Sequence, residues 1–107
     1  MPKITFRSAD GAETVIDAIG GFTLMETAVN NGVEGIEGEC GGGLSCGTCH
    51  VHIDSDFAAL LEPALPGEIE MLELLPGRDD RSRLACQIKV TPTLEGMTLD
   101  IAAEQGL

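Results

Sequence analysis

Three of the four cysteines in this 107-residue chain fall within ten positions: Cys40, Cys46 and Cys49, spaced C-x5-C-x2-C, with Cys86 well downstream. Thiolates are nucleophiles, redox groups and soft-metal ligands, so four of them in such a pattern point to metal or redox chemistry. The segment that carries them, CGGGLSCGTC, also contains Gly41, Gly42, Gly43 and Gly47. Glycine loses more backbone freedom on folding than any other residue, so a loop this rich in it needs an anchor to become ordered.

Three chemistries compete for the cysteines. Disulfides need an oxidising compartment, and the N-terminus, MPKITFRSADG, carries neither the apolar core of a secretory signal nor the Arg-rich character of a transit peptide. The chain therefore reads as complete and cytoplasmic. A structural zinc site also takes four thiolates, but zinc modules usually bring two close pairs, whereas here the division is three plus one. Tetrahedral sulfur ligation alone does not separate zinc from iron and sulfide.

A [2Fe–2S] cluster is the reading that also explains the glycines. Two ferric ions, two sulfides and four thiolates form a dianion, which an added electron makes a trianion, so a buried cluster needs many hydrogen-bond donors. Backbone N–H groups turned inward around an anion require positive φ angles and no side chains in the way. Gly41, Gly42, Gly43 and Gly47 meet both conditions, and the hydroxyls of Ser45 and Thr48 can add donors. A flexible linker would not explain cysteines at close, fixed intervals.

The flanking sequence supplies elements to hold such a loop. Residues 3–8 and 13–19 read as strands around Asp10-Gly11, an opening hairpin. Thr23 with Glu26 forms a capping box, predicting a helix over 24–31 that ends at Gly32 and buries Leu24, Met25, Ala28 and Val29. Residues 35–49 read as a long loop, 50–54 as a strand, and 66–75 as a helix opening at Pro66. Two more strands are predicted over 83–91 and 98–102. This order, without regular βαβ alternation, predicts one α+β domain over 1–107 with a mixed sheet packed on one helix.

Eighteen acidic residues against six basic ones give a net charge of −12, which repels phosphate backbones and anionic membrane surfaces. No Trp or Tyr and only three Phe are present, so stacking on bases is disfavoured and the core must be aliphatic. Neither nucleic acid nor membrane is an expected partner; a basic patch on another protein is. No excess of apolar residues calls for self-association, and a monomer is expected.

The C-x5-C-x2-C spacing, the segment CGTCH at 46–50 and RSRLACQ at 81–87 resemble the adrenodoxin-type (vertebrate-type) [2Fe–2S] ferredoxins, a family that includes bacterial relatives of putidaredoxin. The first interval is one residue longer than in plant-type ferredoxins. The resemblance runs over essentially the whole chain. It implies a β-grasp fold, ligation of the cluster by Cys40, Cys46, Cys49 and Cys86, and one-electron transfer without catalysis by the chain itself. It further implies a FAD-containing NAD(P)H ferredoxin reductase as electron donor and a cytochrome P450 as acceptor. Electron supply to a cysteine desulfurase and scaffold complex for cluster assembly is the alternative within the family. Assembly ferredoxins often carry an additional cysteine, which this chain lacks.

The family docks its partners through an acidic helix between the third and fourth cysteines, here 66–75. Ile69, Leu72 and Leu75 are predicted to face inward, leaving Glu70 and Glu73 outside. Because Pro66 and Gly67 stand where relatives can carry further acids, Glu68, Asp79 and Asp80 are candidates to complete the patch. His50 is expected to tie the cluster loop to that helix by a structural hydrogen bond, and His52 reads as a surface residue on the other face of the strand. Arg83 is expected to pair with a helix carboxylate such as Glu68.

Overall fold

The computed structural model describes residues 1–36, 49–103 and 105. Strand β1 (Lys3–Arg7) alternates cleanly, with Ile4 and Phe6 buried and Lys3, Thr5 and Arg7 facing outward. It pairs antiparallel with β2 (Glu13–Asp17), in register from Lys3 opposite Asp17 to Arg7 opposite Glu13. The connection turns at Gly11, where φ is +92°, and Asp10 accepts the Ala12 N–H at 3.1 Å.

Helix α1 (Leu24–Asn30) begins with the expected capping box: Thr23 Oγ1 accepts the Glu26 N–H and Glu26 Oε1 accepts the Thr23 N–H, both at 3.0 Å. It ends on Gly32 in the left-handed region, with Gly32 N–H donating to Val29 O and Val33 N–H to Ala28 O, the two bonds of a Schellman motif. Leu24, Met25 and Ala28 are buried as expected. Val29 is 44% exposed, and Thr27 takes the inner position instead, its hydroxyl donating to Thr23 O.

After β3 (His50–Ile53) the chain forms a short helix, α2 (Ser55–Ala58), which hydrophobic periodicity could not signal because none of its residues is buried. Helix α3 (Pro66–Glu73) opens with Pro in its first turn. Strand β4 is far shorter than predicted. It spans Ser82–Leu84 and gives way to a 3-10 turn at Ala85–Gln87 that carries Cys86. Residues 88–90 then leave the sheet and run against the start of α1, with Leu24 N–H donating to Ile88 O and Val90 N–H to Phe22 O, both at 2.8 Å. An apolar run of this kind reads as one strand because both halves are buried, although only the first is in the sheet.

Strand β5 (Thr98–Ile101) completes a five-stranded sheet ordered β2-β1-β5-β3-β4. The β1–β5 pair is parallel and the others antiparallel, the mixed α+β sheet expected. Ile4, Phe6, Leu24, Ile53, Leu84, Leu94, Met97 and Leu99 are fully buried between the sheet and its covering elements. Phe6 is the one fully buried phenylalanine, which leaves the core aliphatic. Gly35 lies against β5 with φ +95°, and a Cβ there would come within 3.0 Å of Ile101 Cγ2. Only glycine lets the backbone lie so close before residues 37–48. Among the described residues no helix is long and apolar enough to cross a membrane.

Candidate metal centre

Cys49 immediately precedes β3 and is 2% exposed. Antiparallel pairing of β3 with β4 sets His50 opposite Leu84, so the residues just outside this pair, Cys49 and Ala85, also meet. The Ala85 N–H donates to Cys49 O at 2.9 Å, and Cys86 follows at once in the turn, also buried. Two thiols 37 positions apart in sequence are thus delivered to one end of the sheet. The Gln87 amide donates to Cys86 Sγ at 3.4 Å. Cys40 and Cys46, with Gly41, Gly42, Gly43, Ser45, Gly47 and Thr48, lie outside the described residues.

His50 is fully buried. Its Nε2 is 2.7 Å from Ser82 Oγ, and Gln105 clasps its backbone, accepting the His50 N–H at 2.9 Å and donating to His50 O at 2.8 Å. Burial, reinforced by His52 and opposed by Asp79, pushes its pKa down to about 4, so the ring is neutral at pH 7. The described bonds tie it to β4 and to Gln105 rather than to α3. His52 is not on the opposite face: positions two apart on a strand share a side, and the two rings lie 4.9 Å apart. His52 Nδ1 contacts Asp79 Oδ1 at 3.0 Å. Asp79 in turn donates its N–H to Ser82 Oγ, so both histidines hold the turn that enters β4.

Arg83 grips Glu68 with two bonds, Nε to Oε2 at 2.7 Å and Nη2 to Oε1 at 3.1 Å, and Nη1 reaches Glu62 O. Glu68 Oε2 also accepts the Leu84 N–H at 2.9 Å. This corrects the placing of Glu68 in a surface patch. Its side chain is only 3% exposed because the first turn of α3 faces β4. Ile69 is likewise displaced from its expected inward position, being 42% exposed, while Met71 packs inward beside Leu72 and Leu75.

A family model described as the 2Fe-2S iron-sulfur cluster binding domain matches residues 7–91. The chain belongs to the [2Fe–2S] ferredoxins. Ferredoxin CarAc of Sphingomonas sp is 43% identical over 103 residues, covering 96% of this ferredoxin and 94% of that protein. Putidaredoxin of Pseudomonas putida is 41% identical over 106 residues, covering 98% and 99%. A crystal structure of reduced putidaredoxin with one cysteine replaced by serine superposes with a TM-score of 0.93 at 40% identity, over 96% of this chain and 98% of that one. Putidaredoxin in a covalent complex with putidaredoxin reductase gives 0.88 at 41% identity, over 92% and 96%. The fold is the β-grasp of this group, and the protein is an electron carrier rather than an enzyme.

The described residues of this ferredoxin fit the cluster its family binds: buried thiols from two adjoining segments, and an amide donor at one sulfur where negative charge would gather. Glu70, Glu73, Asp79 and Asp80 are exposed. Ser82, Gln87 and Gln105 were not legible as site residues. Ser82 and Gln87 stand inside the RSRLACQ segment, where their nearness to Cys86 was the available signal, whereas a lone glutamine near the end of the sequence gives none.

Proposed function

We propose that this ferredoxin carries single electrons from a FAD-containing NAD(P)H reductase to a cytochrome P450 in the bacterial cytoplasm. Cys40, Cys46, Cys49 and Cys86 hold the cluster, which when bound supplies the one-electron redox step. The chain's own residues do the rest. Burial of Cys49 and Cys86 keeps water from the sulfurs, and Glu70, Glu73, Asp79 and Asp80 steer basic partner surfaces onto the face beside α3.

The observation that carries this reading is the Arg83–Glu68 clasp, which fixes the acid-bearing helix to the strand that leads into Cys86. A partner that docks on α3 is thereby held at a set distance from the redox centre. The match to putidaredoxin in a reductase complex supports the donor half of the proposal.

The test is affinity capture from native lysate with reduced holoprotein at low salt, followed by release at high salt and mass spectrometry. Recovery of a flavoprotein reductase and a haem monooxygenase supports the proposal. A cysteine desulfurase and scaffold in their place would move the protein to cluster assembly.

A further inference from the structure

Gln87 closes the 3-10 turn that begins at Ala85, and this tight reversal folds its side chain back over the residue before it. The result is the 3.4 Å contact from Nε2 to Cys86 Sγ. A metal-bound thiolate only accepts hydrogen bonds, so it selects the NH2 side of the amide over the carbonyl side. Gln87 is half-buried and lines a groove with Leu60, Leu61, Arg83 and Lys89.

We propose that Gln87 helps set the reduction potential, its amide stabilising the negative charge that reaches Cys86 Sγ when the centre takes up an electron. The proposal rests on Cys86 being a cluster ligand. A hydrogen bond to an ionised acceptor strengthens as the charge on the acceptor grows, so it favours the reduced form and raises the potential. In the reduction one electron enters, one ferric ion becomes ferrous, and no bond or proton is exchanged. Backbone donors in a glycine loop cannot be removed by substitution. A side-chain donor can, so Gln87 is a point at which the potential can be changed by substitution.

The test is a redox titration of wild-type, Gln87→Leu and Gln87→Glu holoproteins with dithionite, which is itself oxidised to sulfite, and with mediators. Resonance Raman spectra in H2O and D2O accompany it. Leu has no donor, and Glu keeps the length of Gln but presents a carboxylate. Both variants are expected to keep the visible cluster spectrum and to have lower potentials. For Leu the change is about threefold in the equilibrium constant, or about 30 mV at 59 mV per tenfold for one electron, and for Glu it is larger. A terminal Fe–S stretch that shifts in D2O in the wild type should lose that shift in both. An intact spectrum with an unchanged potential, or an unchanged D2O shift, overturns the role of Gln87. Wild-type holoprotein without a [2Fe–2S] spectrum would instead overturn the cluster reading itself. If Leu fails to assemble, Glu decides by the same measurements.

Discussion

Arg83 and Glu68 form a two-pronged ion pair, at 2.7 and 3.1 Å, with Glu68 almost wholly withdrawn from water. Breaking a buried pair from one side leaves the other charge without its partner, at a cost of about 3–5 kcal/mol. Arg83 retains partial exposure, so the lower end applies. Arg83→Ala should lower the melting temperature by more than 10 °C, at roughly 4–8 °C per kcal/mol for a domain of this size. In a double-mutant cycle with Glu68→Gln, the two losses should fall well short of adding. Additive losses would mean that the pair is not coupled.

His50 makes stability depend on pH. Its folded pKa is about 4 against an unfolded value near 6.5, so the unfolded chain binds the extra proton first as pH falls. The full contribution is present above pH 6.5. It is lost as pH drops towards 4. Urea unfolding between pH 4 and 7 should show this slope in the wild type and a shallower one in His50→Phe, whatever the absolute stability of the variant.

Glu73 lies on the exposed side of α3 and Glu68 on the buried side, although they are five residues apart on one helix. Glu73→Lys should weaken reductase binding roughly two- to fivefold at low salt, the range of exposed ion pairs, and less at high salt. Cluster absorbance should not change. Surface plasmon resonance across ionic strengths checks this, and a loss that does not depend on salt would remove Glu73 from the docking face.

Gly35 and Gly32 both occupy the left-handed region, but only at Gly35 would an added Cβ meet a neighbour, Ile101. Gly32→Ala should therefore cost about 1–2 kcal/mol from backbone conformation alone, and Gly35→Ala more. Equal costs in denaturant unfolding would show that Ile101 yields.

What the sequence made legible followed from local rules. Thr23 with Glu26 and Gly32 marked both ends of α1, and the alternation of Ile4 and Phe6 marked β1, because caps and pleats act through neighbouring residues. The early end of β4 was hidden because Ile88 and Val90 are as buried as Leu84, against α1 rather than in the sheet. Glu68 looked like any other acid of its helix. Its burial depends on Arg83 and on the Leu84 N–H, partners that only the folded chain brings to it.

The strand order carries a consequence for how the protein is made. β5 lies between β1, at one end of the sequence, and β3, which follows Cys49. During synthesis β1 and β3 therefore leave the ribosome with a neighbour missing, and the cysteine-bearing segments have no completed sheet to rest on until residue 101 has emerged. Such distant pairings form late and slowly. Loading of iron and sulfide should accordingly follow release of β5 from the ribosome, and nascent chains stalled before Thr98 should not retain a cluster.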